Sequence, residues 1–453
     1  MNFVYNDVEM IFHQVLYDDL GCASYFLADG GQAVVVDARW DVDVYVELAA
    51  AEHVRIAHVL DTHQHADHVS GRERLAALTG ARTEIAAGDE IEVGALRLRA
   101  LATPGHRPEH LSIVVSDLSR GEDPWLVLAG DSLLVGDLAR PDLAVEARTG
   151  ARDLHRTLRE LLRLGDGVEL WPAHVGGSLC GGARLSGKTS STIGYERAHN
   201  PLLAVEEAQF ADELLRELPP RPPNIERVVG LNRARTASAP PPPADLELSA
   251  LLDEIAAGAR VVDGRAPDAF DAGHLPGAIN LPAGRARGTR AGWVLRPEDR
   301  LVVVDSDRDS ARALARTLNA VGLWGVVGLA AGEPERWLER GLEVRRASSL
   351  DVATLVERLR RDEIQLIDVR ERGEWRRGHV AGSRSVPLHR LADPNALASS
   401  RTSGSLAVAC AGGMRAAFAA SVIRRWGHAE VVRVAGGGVG DLPRHGVALT
   451  RGE

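Results

Sequence analysis

Seven residues, Thr62-His63-Gln64-His65-Ala66-Asp67-His68, place three histidines and an aspartate directly after an apolar run that ends at Leu60. A strand that ends in a turn can direct these side chains at one point. Neutral imidazoles together with carboxylates are typical ligands of a divalent transition metal. The stretch therefore predicts a scaffold of strands whose ends meet at a metal site.

Further metal-competent side chains follow downstream, each after a short apolar run. The three segments are Thr103-Pro104-Gly105-His106, Ala129-Gly130-Asp131 and Pro172-Ala173-His174. We expect each apolar run to be a strand that delivers one of these side chains at its end.

Size, charge and cysteine content limit the possible classes of protein. A chain of 453 residues is too long for one core and is expected to form about three domains. Its net charge of −10 argues against nucleic acid or an anionic membrane as partner. No signal peptide or membrane-spanning apolar run is recognisable. Three distant cysteines exclude a disulfide framework and are typical of a cytoplasmic protein.

Two proline clusters, 219–223 and 240–243, mark the end of the first domain, because consecutive prolines interrupt helices and central strands. Downstream, Asp263-Gly264-Arg265 with Gly273-His274 repeats about 105 residues later as Asp368-Val369-Arg370 with Gly378-His379. Such a repeat indicates two copies of one domain, each with apolar strands alternating with helices, hence an α/β fold with a mostly parallel sheet. The predicted boundaries are 1–235 for the first domain, 236–245 for a proline-rich linker, and 246–345 and 348–453 for the two copies.

These motifs resemble two known families. Residues 10 to about 200 resemble the metallo-β-lactamase fold, because T-H-x-H-A-D-H-x-S-G, T-P-G-H and A-G-D match its ligand motifs in order. Glyoxalase II and the persulfide dioxygenases share this pattern. D-x-R followed by G-H-x-x-G resembles the rhodanese family. The resemblance implies a multidomain α/β protein, with an αββα sandwich followed by two rhodanese-like α/β domains.

In the second copy, Cys410-Ala411-Gly412-Gly413-Met414-Arg415 lies between an apolar strand and a helical run. Such a loop offers free backbone N–H groups and the positive end of the helix dipole, so Cys410 is expected to be largely thiolate. Gly412 and Gly413 let the backbone curl round the sulfur or its substrate, and Arg415 adds a positive charge. In rhodaneses a loop of this length carries a persulfide on its cysteine.

The first copy departs from this pattern. Its matching strand ends in Asp305-Ser306-Asp307-Arg308-Asp309, so Asp305 stands at the cysteine position. A carboxylate cannot carry sulfane sulfur, and three acids repel an anionic substrate. The first copy is therefore predicted to be a scaffold without catalytic activity.

The metal-binding motifs leave two arrangements open. Two zinc ions would use His63, His65 and His106 on one side, Asp67, His68 and His174 on the other, and Asp131 as bridge, and would activate water for hydrolysis. The persulfide dioxygenases imply instead one iron held by His63, His106 and Asp131, a two-histidine, one-carboxylate triad with open positions. His65, Asp67, His68 and His174 would then orient these ligands.

Three further residues carry weaker signals. Arg140 lies in a segment that resembles the one that persulfide dioxygenases place near the carboxylates of the substrate thiol. Cys180 lies in a glycine-rich loop after His174 and is either a reactive thiol in the substrate site or a small buried hydrophobe. Cys22 is expected to be structural. Four other histidines match no motif position and are expected to be structural or surface residues: His58, His110, His155 and His199.

Because a rhodanese cysteine and a persulfide dioxygenase both handle sulfane sulfur, the domain combination favours an Fe(II)-dependent persulfide dioxygenase coupled to a sulfurtransferase. Its partners would be a glutathione- or coenzyme A-type thiol persulfide, O₂, and sulfite or thiosulfate, with no nucleic acid and no membrane; a homo-oligomer is compatible with the sequence. Two alternatives stay open: a zinc-dependent hydrolase of the glyoxalase II type with rhodanese domains attached, and rhodanese domains that serve only for protein interaction.

Overall fold

The computed structural model describes residues 10–182, 184–216, 218, 220–397, 405–428 and 430–452. The chain divides into two compact units. The first holds the residues up to Arg221, Ile225–Ala239 and Ala320–Gly322, and the second holds the rest.

The first unit is built from twelve strands and six helices in its described part. The strands are β1 Ile11–Tyr17, β2 Cys22–Asp29, β3 Gln32–Val36, β4 Arg55–Leu60, β5 Glu90–Val93, β6 Leu96–Ala102, β7 Leu111–Asp117, β8 Leu126–Gly130, β9 Leu133–Leu134, β10 Asp137–Leu138, β11 Glu169–Pro172 and β12 Ser191–Thr192. The helices are α1 Asp43–Ala51, α2 Arg72–Thr79, α3 Ala147–Leu161, α4 Ile193–His199, α5 Glu207–Leu215 and α6 Ile225–Arg233.

Two sheets pack face to face in this unit. One has the strand order β1-β2-β3-β4 and the other β12-β11-β8-β7-β6-β5. Alternate residues of β2 and β3, such as Leu27 and Val34, meet Leu98 and Ile113 of the second sheet in a shared core. The opposite residues of each sheet pack under helices, as Val127 does in the cluster that contains Leu154 of α3. The predicted αββα sandwich is confirmed.

The predicted ligand segments follow strands as expected. Residues 62–68 follow β4, residues 103–106 follow β6, Asp131 follows β8, and His174 follows β11. Since β8 and β11 are parallel neighbours, their carboxyl ends bring Asp131 and His174 together.

The second unit contains both repeat copies. The first copy has strands β13 Ala244–Asp245, β14 Arg260–Asp263, β15 Ile279–Asn280, β16 Leu301–Asp305 and β17 Val326–Ala331, with helices α7 Leu248–Ala256, α8 Pro267–Ala272, α9 Arg287–Val294, α10 Arg308–Ala320 and α11 Pro334–Glu339. The second has strands β18 Ser348–Leu350, β19 Ile364–Asp368, β20 His379–Val380, β21 Arg384–Ser385, β22 Ser405–Ala409, β23 Val431–Val434 and β24 Leu449–Thr450, with helices α12 Val352–Arg360, α13 Arg372–Arg377 and α14 Met414–Arg425.

The two copies repeat one topology. Their five-stranded sheets, β13-β17-β16-β14-β15 and β18-β23-β22-β19-β21, are parallel throughout. The repeated motif forms the same brace twice. Arg265 donates to Asp263 at 2.6 Å and to the Gly273 carbonyl at 2.8 Å. Arg370 does the same to Asp368 at 2.6 Å and to the Gly378 carbonyl at 2.7 Å.

The proline-rich boundary is more structured than a linker implies. Residues 225–233 form helix α6, and the last two residues of the predicted linker, Ala244–Asp245, form strand β13 beside β17. A proline run fixes its own backbone only, so the flanking residues remain free to join either fold. Within the described residues, no helix has the length and apolar character needed to cross a membrane.

Candidate metal centre and sulfur-transfer loop

Three buried side-chain atoms converge without a hydrogen-bond partner among the described residues: His63 Nε2, His106 Nε2 and Asp131 Oδ2. Asp131 Oδ2 lies 3.7 Å from His63 Nε2 and 3.4 Å from His106 Nε2. A buried polar atom left unpaired costs about 1–3 kcal/mol, so three together at one point require a compensating ligand. A metal ion bound to all three would supply it, and this set of donor atoms is suited to hold one.

Hydrogen bonds fix the tautomers of both histidines. Thr62 Oγ1 donates to Asp37, so at 2.9 Å from His63 Nδ1 it must accept the ring proton. His106 Nδ1 donates to the Arg140 carbonyl oxygen at 2.8 Å. Both Nε2 lone pairs are therefore free for a metal. Burial lowers the pKa of His63 well below its ordinary value and also lowers that of His106, which favours the neutral ligand form.

His110 holds Asp131 in place, although no motif identified it. Its Nε2 accepts from the Asp131 backbone N–H at 2.7 Å, and its Nδ1 lies 2.8 Å from Thr103 Oγ1. Gly130 makes this approach possible: its φ is +54°, and a Cβ there would lie 2.5 Å from His110 Nε2. Burial lowers the pKa of His110 to about 4, so the ring stays a neutral acceptor.

His174 is occupied on both ring nitrogens. Its Nδ1 lies 2.5 Å from Asp131 Oδ1 and its Nε2 lies 2.8 Å from Asp67 Oδ2. Burial alone would lower the pKa of His174, but the two carboxylates raise it well above the ordinary value. Bonded in this way, His174 links two carboxylates and has no lone pair for a metal.

The other predicted metal-site residues are also bonded within the protein. Asp67 Oδ1 pairs with His68 Nδ1 at 3.1 Å, and the Cys22 thiol donates to Asp67 Oδ2 at 3.1 Å. His65 Nε2 lies 3.1 Å from Asp37, which also accepts from the Thr62 backbone N–H at 2.7 Å. Asp37 could not be found from the sequence, since it lies alone at the end of β3. Of the seven predicted residues, His63, His106 and Asp131 leave their open ligand atoms at one point. His65 Nδ1 and His68 Nε2 are also buried without a hydrogen-bond partner among the described residues, but the other nitrogen of each ring is bonded to an aspartate.

The two predicted substrate residues of this unit are both buried. The Arg140 guanidinium pairs with both Asp142 carboxylate oxygens, at 2.7 and 2.9 Å. The Cys180 sulfur lies within 4.8 Å of a ligand atom of Asp131 and of one of His174. Burial raises the pKa of the Cys180 thiol well above its ordinary value. Neither side chain lines the cavity beside His63.

That cavity has a volume of about 310 Å³ and is lined in part by His63, Gln64 and residues at the end of α6 and just after it. Asn232, at the end of α6, donates to the His65 and His68 carbonyl oxygens at 2.8 and 2.9 Å. It also accepts from the Ser70 N–H at 2.9 Å. Asn232 thus holds the loop that carries the metal ligands, a role hidden by its position next to the predicted linker.

In the Cys410 loop, one backbone N–H group reaches the sulfur. The Gly413 N–H donates to Cys410 Sγ at 3.0 Å, and Gly413 has a φ of +90°. Gly438, in a three-glycine run, is a further requirement that sequence reasoning missed. A Cβ on Gly438 would lie 2.3 Å from the Cys410 carbonyl oxygen and 2.2 Å from that of Ala411. For Gly412 a Cβ would meet nothing within 4 Å, so space alone does not require glycine there.

Arg415 is paired instead of directed freely at the thiol. Its two terminal nitrogens donate to the Glu374 carboxylate oxygens at 2.6 and 2.8 Å. Burial would lower the pKa of Arg415, but the Glu374 bonds raise it above the ordinary value. The positive charge expected near Cys410 is therefore largely balanced by Glu374.

In the first copy, Asp305 ends β16 as predicted and lies 3.4 Å from Arg287 Nη2. Its Oδ1 accepts from the Ser306 N–H at 2.8 Å. Asp305 is thus held by internal bonds at the position where the second copy has its cysteine.

Comparison with known proteins agrees with both halves of this description. Residues 17–94 match the family model of the metallo-beta-lactamase superfamily, and residues 246–340 and 351–440 match that of the rhodanese-like domain. The chain is 27% identical over 248 residues to the mitochondrial persulfide dioxygenase ETHE1 of Bos taurus, covering 50% of this chain and 89% of that protein. It is 30% identical over 221 residues to a hydroxyacylglutathione hydrolase of Pseudomonas putida (strain GB-1), covering 41% and 81%.

A crystal structure of a metallo-beta-lactamase from Staphylococcus aureus subsp. aureus COL superposes with a TM-score of 0.64 at 26% identity, covering 72% of this chain and 99% of that one. The relatives agree on the fold of the first unit, and the family models identify both repeats. The chain therefore belongs to the metallo-β-lactamase superfamily, as a domain homologous to the ETHE1 persulfide dioxygenases fused to two rhodanese-like domains.

Proposed function

We propose that this protein is an Fe(II)-dependent persulfide dioxygenase coupled to a sulfurtransferase. One observation favours a single iron over two zinc ions. His63, His106 and Asp131 leave three unpaired atoms at one point, whereas His174 spends both ring nitrogens on carboxylates. A two-histidine, one-carboxylate set with open positions is typical of non-haem Fe(II) oxygenases.

His63, His106 and Asp131 would hold the iron, which would supply activation of O₂ and affinity for the terminal sulfur of a thiol persulfide. The protein contributes the geometry. Thr62 and the Arg140 carbonyl oxygen fix the two histidine rings, and His110 fixes the backbone of Asp131. Burial of the three ligand side chains excludes bulk water from the site. The overall reaction converts a thiol persulfide, O₂ and one water molecule into sulfite, the parent thiol and two protons.

The second rhodanese-like domain would transfer sulfane sulfur at Cys410. The Cys410 thiolate attacks the outer sulfur of a persulfide, forms a new S–S bond and releases the carrier thiolate. Sulfite then attacks that outer sulfur, the S–S bond to Cys410 breaks, and thiosulfate leaves with regeneration of the thiolate. The Gly413 N–H, 3.0 Å from Cys410 Sγ, stabilises negative charge on the sulfur at both stages. Every step is reversible, so thiosulfate can also supply the carrier with sulfur. The predicted cytoplasmic location stays a prediction.

Metal analysis of anaerobically purified protein, together with O₂ uptake, tests the proposal. We expect about one iron per chain and consumption of O₂ on addition of glutathione persulfide. His63→Ala, His106→Ala and Asp131→Ala should each lose the metal. Asp305→Ala, in the first repeat copy, is a control that should retain it. Two zinc ions per chain, with thioester hydrolysis and no O₂ uptake, would refute this function in favour of the zinc hydrolase.

A further inference from the structure

Residues 232–236, the last two residues of helix α6 and the three that follow, lie along the cavity beside His63, and we call them the strap. Asn232, Arg233, Arg235 and Thr236 all line that cavity together with His63. The strap lies where the sequence predicted the end of a domain and the start of a linker. Its position on the cavity indicates a role in binding whatever enters it.

Two anchors hold the strap. Asn232 makes three hydrogen bonds to the backbone of residues 65–70. Arg235 donates to Glu73 at 2.8 Å, to Glu84 at 2.6 Å and to Thr83 Oγ1 at 3.0 Å. Arg235 adopts a φ of +51°, a backbone conformation that residues other than glycine rarely adopt. Its hydrogen bonds therefore also offset backbone strain. Fixed at both ends, the strap cannot move freely away from the cavity.

The acidic groups that line the cavity are already paired. Asp61 lies 3.4 Å from Arg72, and Glu73 lies 2.9 Å from Arg72 as well as contacting Arg235. Glu109 lies 2.7 Å from Arg107. These pairs largely balance each other's charge and leave little capacity to bind another ion.

Arg233, between the two anchors, differs from these charged groups because its side chain is unpaired among the described residues. Its side chain is exposed, and within the described part of the chain its guanidinium has no ion pair or hydrogen bond. An unpaired guanidinium on a fixed backbone, at a cavity shared with His63, suits bidentate binding of an anionic oxygen group. The Arg140 guanidinium, by contrast, is taken by Asp142.

Resting on the proposed persulfide dioxygenase function, we propose that Arg233 binds the anionic group of the carrier thiol and so selects charged over uncharged persulfides. The carboxylate of a peptide thiol and the phosphate of a nucleotide thiol share this chemistry. Arg233 acts on substrate affinity and has no part in metal binding, because its partner is the end of the substrate remote from the sulfur.

The test compares Arg233→Gln and Arg233→Lys with Arg99→Gln, a control at an exposed arginine of β6 that does not line the cavity. Steady-state O₂ uptake is measured with the persulfides of glutathione, coenzyme A and the uncharged 2-mercaptoethanol. Arg233→Gln should raise KM about tenfold for the charged carrier that the site selects, a loss of about 1.4 kcal/mol. It should leave kcat, iron content and the KM for 2-mercaptoethanol persulfide unchanged. Arg233→Lys should have a KM between those of the wild type and Arg233→Gln, since lysine keeps the charge without the bidentate geometry.

Comparison of the two charged carriers identifies the anion: an effect confined to glutathione indicates a carboxylate, and one confined to coenzyme A a phosphate. An unchanged KM for both, or an equal rise for the uncharged carrier, would overturn the role of Arg233. Calorimetric titration with S-methylglutathione and S-methyl-coenzyme A keeps the test independent of turnover. If no persulfide supports O₂ uptake in iron-loaded wild type, the dioxygenase function fails, while a tenfold weaker binding of either analogue to Arg233→Gln would still support the anion site.

Discussion

Replacing Asn232 by alanine should loosen the loop that carries the metal ligands. The side chain bonds only to backbone groups, which settles its orientation: Oδ1 faces the Ser70 N–H, and Nδ2 faces the carbonyl oxygens of His65 and His68. A hydrogen bond contributes about 1 kcal/mol net, so three amount to about 3 kcal/mol. Because Asn232 is only half-buried, water can replace part of these hydrogen bonds in the variant. We therefore expect the loop to lose between about 1.5 and 3 kcal/mol of stabilising free energy.

That loss should be visible in metal affinity, since the ordered loop is what presents His63 with its lone pair free. We expect iron to bind about 10- to 100-fold more weakly to Asn232→Ala, measured by competition with a chelator under anaerobic conditions. Asn232→Asp, which keeps the acceptor but faces two carbonyl oxygens with a carboxylate, should be at least as weak. Arg233→Gln, one residue along and without backbone partners, serves as the control with normal metal affinity. If Asn232→Ala held iron as tightly as wild type and denatured at the same urea concentration, the strap would not support the metal loop.

Other predictions concern the second unit. Cys410→Ser should abolish sulfur transfer from thiosulfate to thiol while O₂ uptake persists, and thiosulfate formation by this variant would point to another cysteine. Gly438→Ala should reduce transfer strongly in the same assay, because its Cβ would displace the Cys410 carbonyl, with metal content as the unaffected readout. Asp305→Ala should leave both activities intact but lower the free energy of unfolding by about 1 kcal/mol through loss of its Arg287 and Ser306 contacts, as urea titration would show. Burial lowers the pKa of His274 to about 4 in the folded protein, whereas the ring in the unfolded chain has its ordinary value of about 6.5. Between about pH 6.5 and 4 the unfolded chain therefore binds a proton that the folded protein does not, and the free energy of unfolding falls as the pH is lowered. In His274→Gln this fall should be smaller.

Local sequence was sufficient for residues whose role follows from their own strand and turn. The seven candidate metal-site residues could be located because each ligand segment follows an apolar run, and the Cys410 loop because a strand, a glycine loop and a helix are adjacent in the chain. Residues that act through distant contacts could not be predicted. Asp37 reaches Thr62 from another strand, Asn232 reaches residues 65–70 from beyond a proline cluster, and Glu374 reaches Arg415 from another helix.

The same limit explains why the ligand motifs alone left one or two metals open. From the sequence alone, the seven metal-competent side chains are equivalent as candidate ligands, and only their hydrogen bonds in the folded protein distinguish them. His174 looks like a ligand in the sequence, but its position between Asp131 and Asp67 depends on the packing of three separate strand ends.

The brace between aspartate and arginine that recurs in both rhodanese-like domains has an evolutionary consequence. In each copy it ties the end of the first long strand to the glycine before the histidine, and it makes no use of the residue at the cysteine position. A mutation that removes the nucleophile therefore spares the bonds on which folding depends. After duplication, one copy can lose its chemistry in a single substitution and persist as a folded domain, free to acquire a different use while its twin keeps the original one.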